Sequence, residues 1–151
     1  MADNWIERRF KREHNLDKAE DLWQAVSTAI HDACNSYNAH YANIVGQANF
    51  IPQNGHGILV EVTHEENKRN PMDTKRRVRV TFDGRRISVT VDEHTARVCD
   101  IEADEAGCFI KSNTGKLSPD EFSSLALRDA LFTPRNPNTP ESPAPKFGVW
   151  S

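Results

Sequence analysis

The chain has 151 residues, with 19 Lys and Arg against 22 Asp and Glu and a formal net charge of −3. At 37% hydrophobic residues it is too apolar for wholesale disorder, and a domain of this length buries roughly 68–70% of its unfolded surface. No apolar run approaches the ~18 residues of a membrane span, and the first twelve residues lack the apolar core of a secretory signal, so no membrane partner is expected.

Residues 1–15 are charged, with Trp5, Ile6 and Phe10 as apolar exceptions that can form a short amphipathic turn packed on the body. From Leu16 the pattern is helical. Ala19, Leu22, Trp23, Val26, Ile30, Ala33 and Tyr37 recur at steps of three and four. The spacing predicts one long helix over 16–40, with Asn15 as its cap.

From residue 43 the period changes to two. A strand over 43–51 is expected to pair with 57–63 around Pro52-Gln53-Asn54-Gly55. Its two faces compete for the core. Gln47 and Asn49 facing inward would need partners and would mark a polar pocket. Burial preferences instead favour Phe50 inward and the amides in water.

Val78, Val80 and Phe82, then Ile87, Val89 and Val91, alternate with polar residues on either side of Asp83-Gly84, a strong hairpin signal. A two-residue turn there sets Val80 opposite Ile87 and Val78 opposite Val89. Runs 95–102 and 106–112 form another expected hairpin. A symmetric turn sets Cys99 opposite Cys108, as two small buried hydrophobes in preference to a disulfide. Which face of these two runs is buried depends on the length of the Asp92–Thr95 turn.

Ser118-Pro119-Asp120-Glu121 carries the residues of a capping box and opens a helix ending near Phe132, ahead of Pro134. Five of the eight prolines fall in 134–145. The chain therefore divides into an α+β domain over 1–132 and a proline-rich tail over 133–151. The domain is a long N-terminal helix packed on a mostly antiparallel sheet of about six strands, followed by a short C-terminal helix. The tail ends in an apolar tip whose Phe147 and Trp150 are candidate anchors, on this chain's own body or on a protein partner.

Cysteine usage points to a reducing, cytoplasmic setting: Cys34, Cys99 and Cys108 are odd in number, with no secretory segment. His31 and Cys34 share a helical face but supply only half a zinc ligand set, so neither metal nor cofactor is expected. Nucleophile elbows, phosphate loops and dinucleotide fingerprints are absent.

One feature stands above the background. Residues 68–97 hold nine Lys and Arg against four Asp and Glu. Arg77, Arg79 and Arg86, with Lys75 beside them, project from the polar face of the hairpin and are the candidate contacts for nucleic acid or another polyanion. Ion pairs with Glu61 and Glu102 across the sheet are the competing and favoured reading. The leading functional expectation is a non-enzymatic binding or assembly module, with homodimerisation through exposed sheet edges and the apolar tail tip. The alternatives are polyanion binding by the hairpin, and an enzyme with a pocket between helix and sheet reached by Gln47, Asn49, His31 or Tyr41.

Overall fold

The structure is a computed structural model and describes residues 4–68, 74–113 and 115–134. Two N-terminal helices, α1 (Trp5–Leu16) and α2 (Ala19–Tyr41), precede seven strands and a final helix. The strands are β1 (Gly46–Gln53), β2 (Gly57–His64), β3 (Arg76–Phe82), β4 (Arg86–Val91), β5 (His94–Ala103), β6 (Cys108–Ser112) and β7 (Gly115–Leu117). The last helix is α3 (Pro119–Phe132). The strands form one antiparallel meander in chain order, so the class is α+β. The sheet has seven strands where about six were expected. The extra one is the three-residue β7, whose Gly115-Lys116 lacks the alternation by which strands are read.

The long helix expected over 16–40 is α2, one continuous helix that starts three residues later, and a second helix, α1, occupies the stretch read as a short amphipathic turn. Asn4 caps α1 through its side chain, which accepts from the Ile6 N–H at 2.9 Å. Asn15, the expected cap of one long helix, is instead buried near the end of α1, where its amide donates to the Asp104 carbonyl at 2.7 Å. That contact and a bond from the Cys108 thiol to the Asn15 carbonyl tie the end of α1 to the β5–β6 turn. The rest of α1 does not pack on the body as expected: Trp5, Ile6 and Phe10 are 64%, 59% and 67% exposed.

α2 and α3 lie against one face of the sheet. The core between them is built from Trp23, Val26, Ile30 and Cys34 of α2 and from Phe122, Ala126 and Leu127 of α3. The alternating Val and Ile of β2, β3 and β4 face them. Packing of α2 on β1 is close enough to require glycine at position 46, where a Cβ would meet the Thr63 carbonyl at 2.7 Å and the Tyr37 hydroxyl at 2.8 Å. The α3 capping box forms as the sequence indicates. The Ser118 hydroxyl accepts from the Glu121 N–H and the Glu121 carboxylate accepts from the Ser118 N–H, each at 3.1 Å.

Strand register departs from expectation twice, by two residues in the first hairpin and by four in the second, even shifts that preserve the faces. Phe82 pairs with Ile87, Val80 with Val89 and Val78 with Val91. The turn is centred on Gly84-Arg85, since the Asp83 carboxylate accepts from the N–H groups of Arg85 and Arg86 and Gly84 takes a φ of +102°. In the next hairpin Ala103 pairs with Cys108 and Asp100 with Lys111, so Cys99 and Cys108 are not partners and all three thiols are free. Here the Asp104 carboxylate accepts from Ala106 and Gly107. Both turns are set by an Asp side chain that binds backbone, which hydrophobic alternation does not report.

The β4–β5 connection is the two-residue turn Asp92-Glu93, with φ of +50° and +72°. Two residues alone would leave β5 with the wrong face inward. A bulge corrects it: Thr90 pairs with Thr95 and Val89 with Arg97, leaving Ala96 as the extra residue, after which Cys99 and Ile101 reach the core.

The sheet edges are protected. On edge strand β1 the Asn38 amide donates to the Ala48 carbonyl at 2.7 Å and accepts from the Ala48 N–H at 2.8 Å. Pro52 lies on the same strand, and β7 at the other edge is three residues long. These devices oppose the edge-to-edge pairing from which a homodimer was expected.

Candidate functional site

The basic hairpin is the first place to look, and its arginines are engaged. On the outer face of the sheet Arg77 Nε lies 3.3 Å from Glu61, directly opposite it on β2. Arg86 Nε lies 3.0 Å from Asp100, its partner on β5. Arg79 Nη1 donates to Gln53 Oε1 at 2.9 Å. Lys75 is exposed just before β3 and also has a partner. Lys111–Glu102 and Lys116–Asp104 continue the pattern toward the far edge. Cross-strand partners of opposite sign thus neutralise the face locally.

Arg76, adjacent to Arg77 in sequence, is on the other face. Only 6% exposed, it donates to Asp92 at 2.6 Å, to Asp129 at 2.9 Å and to the Thr133 carbonyl at 2.6 Å. Asp92 also accepts from the Arg77 N–H at 2.8 Å, which holds the left-handed turn in place. One buried guanidinium therefore joins β3, the β4–β5 turn and the end of α3. An Arg in a run of three basic residues carries no sequence signal of this role beyond its inward parity with Val78.

The four pocket candidates do not converge. Gln47 and Asn49 are exposed on the outer sheet face. His31 is exposed on α2 and stacks on Phe50 with ring centroids 4.5 Å apart. Its neighbour Cys34 faces the core, where burial pushes the thiol up to about 11. Among the described residues no three His, Cys, Asp or Glu side chains group as metal ligands, and no helix is long and apolar enough to cross a membrane. Phe147 and Trp150 lie outside the described residues.

Tyr41, the fourth candidate, borders a different feature. Between α2 and α3, on the side away from the sheet, runs an open groove of about 450 Å³. It continues past Ala29, Asp32 and Asp120 into a second hollow of about 420 Å³. Small residues, Ala29 and Ala33 on α2 and Ser123 on α3, keep its floor narrow. One end is aromatic. Tyr37, Tyr41 and Phe132 sit with ring centroids 5.2 to 5.5 Å apart, and Phe132 is 51% exposed. The Tyr37 hydroxyl donates to the Leu131 carbonyl at 2.8 Å, and burial with the neighbouring Tyr41 holds its phenol above the usual range. The other end is acidic: Asp32 and Asp120 line both hollows, and neither forms an ion pair among the described residues, while Arg128 and His40 line the first hollow only.

Ser123 Oγ donates to the Ala29 carbonyl, Ser124 Oγ accepts from Arg128, and among the described residues no hydroxyl in the groove bonds a histidine. Phe132, the last residue of α3, is half-exposed at the groove's aromatic end. Sequence reading missed a buried histidine. His64 Nε2 donates to the Ala130 carbonyl at 2.7 Å, and its Nδ1 is buried without a partner.

Comparison of the chain with protein-family models, with curated proteins and with solved structures finds no match. Function is therefore argued from the site alone.

Proposed function

We propose that this protein is a non-enzymatic binding module that receives an apolar segment of a protein in the groove between α2 and α3. The observation that carries the reading is the half-exposed aromatic cluster of Tyr41 and Phe132 over an open, apolar-floored groove. Aromatic anchors in a groove are what helical and short peptide partners dock against. The acidic end, with Asp32 and Asp120, selects partners whose apolar residues are flanked by basic ones. The absence of a nucleophile–base contact in the groove weighs against catalysis there, and the paired outer-face arginines weigh against polyanion binding.

Selection of displayed random dodecapeptides on the immobilised protein tests this. Peptides with two or more aromatic or aliphatic residues beside Arg or Lys should be enriched. They should lose binding to Ser124→Trp, which fills the groove from an exposed position on its α3 wall. No enrichment, or enriched peptides indifferent to Ser124→Trp, would overturn the reading.

A further inference from the structure

The groove between α2 and α3 has an aromatic end, and the chain leaves the body at that same end. Phe132, the last residue of α3, lines the groove, and Pro134 is the last described residue after it. Arg76 donates to the Thr133 carbonyl at 2.6 Å, which fixes the point of departure against the sheet. The tail that starts there carries Lys146-Phe147-Gly148-Val149-Trp150, three apolar side chains beside one cation.

We infer that this segment, residues 146–150, docks in cis in the groove, and that a segment of another protein binds there by displacing it. The inference rests on the groove being a binding site, and it names what covers the site between partners. The composition matches: aromatic anchors with a flanking cation suit a groove that is aromatic at one end and acidic at the other. The length matches too. From Asp32 to Tyr41 the α2 wall rises about 14 Å, and four extended steps from Lys146 to Trp150 cover about 13 Å. Lys146 can therefore lie at Asp32 and Asp120 while Trp150 reaches Tyr41 and Phe132. His40 lies beside Tyr41, and Arg128 is four residues before Phe132. Both then face the uncharged part of the segment. The tether is long enough. Residues 134–145 hold five prolines, and extended at about 3.1 Å per residue they span about 37 Å. The way along α3 from Phe132 to Asp120 is about 18 Å. A tether of this kind holds the segment at an effective concentration of about 1 mM. If the segment alone binds at about 0.1 mM, the groove is filled about tenfold over empty. The tail of a second copy has no such tether, which favours docking in cis.

Amide spectra of the ¹⁵N-labelled full chain test the inference, with the wild type set against the double variant Phe147→Ser, Trp150→Ser. The second readout is the affinity of each chain for a dodecapeptide selected on the immobilised protein. Both substitutions fall beyond α3, and unmoved amides in β2, β3 and β4 show that the fold is kept. The double variant should shift the amides of Ala33, Ser36, Ser124 and Leu127 by the same amount at every protein concentration. It should bind the dodecapeptide about tenfold more tightly than the wild type does. Lys146→Glu should act in the same direction by about threefold, as for an exposed ion pair.

Groove amides unmoved by the double substitution, or a dodecapeptide bound equally by both chains, overturn the inference. The groove reading still stands if that peptide is lost on Ser124→Trp. Unmoved groove amides with no peptide enriched on either chain overturn both. Shifts that grow with protein concentration put the tail on a second copy and overturn docking in cis. Shifts confined to Arg77, Arg79 and Ser88 place the tail on the outer sheet face and overturn the inference as well.

Discussion

Arg76 and Arg77 are neighbours in sequence and point to opposite faces of the same strand. Arg76 is buried among Asp92, Asp129 and the Thr133 carbonyl. Arg77 lies on the outer face, paired with Glu61 opposite. Both are held by partners within the fold, yet they differ in what depends on them. Removing a buried guanidinium strands its carboxylates in a poor solvent, whereas removing an exposed one returns its partner to water. The contrast shows that a basic stretch in a sequence is not by itself a binding surface. Here its charges are organised inwardly on one face and laterally on the other, and the surface left unmatched is the groove between α2 and α3.

The sharpest break of this comparison is Arg76→Ala, which should destabilise the fold by about 3 kcal/mol in urea unfolding, since Asp92 loses its partner in a half-buried turn. Asn38→Ala comes next, at about 1–2 kcal/mol for the loss of both bonds to the β1 backbone. It should also raise aggregation by opening that edge. Arg86→Ala on the outer face should change stability by less than about 0.5 kcal/mol. The wild type should pass through a heparin column at ~50 mM salt. Strong retention there, lost in Arg86→Ala, would show that the outer face acts beyond its own ion pairs.

The smallest effect is with pH. Asp83 is held below the ordinary carboxylate range by the N–H groups of Arg85 and Arg86, and Asp104 by Lys116 and the N–H of Ala106. A depressed carboxylate contributes stability that is fully present above its unfolded value. That contribution is lost as pH falls through its folded one. Both turns should therefore loosen only below the ordinary carboxylate range, seen as faster amide exchange at Arg85, Arg86, Ala106 and Gly107 while the core stays protected.

Much of the fold is written in periodicity. The alternation at Val78, Val80 and Phe82 and at Ile87, Val89 and Val91 states which residues face inward, and the structure keeps every one of those faces. Register is not written there, because a slip by an even number of residues preserves parity. It was decided by the side chains of Asp83 and Asp104, which bind backbone N–H groups in the turns. The bulge at Ala96 was equally silent, since one unpaired residue resembles an irregular strand. The helix break at Asp17-Lys18 falls close to the start read for the long helix, whereas the twelve residues of α1 before it were read only as a short turn, since three apolar residues among charges give little periodicity. As for the site, only Tyr41 among the four pocket candidates borders the groove. Two helices brought together by a seven-strand sheet between them in sequence leave no local pattern of the furrow they share.

The most direct test of the claim that the groove, and not the outer sheet face, is the binding surface is an amide chemical-shift map of the ¹⁵N-labelled chain. The probe is a dodecapeptide enriched by selection on the immobilised protein. The account predicts shifts at Ala33, Ser36, Ser124, Leu127 and Phe132, with Arg77, Arg79 and Ser88 unmoved. Shifts confined to Arg77, Arg79 and Ser88, with the groove silent, would contradict it.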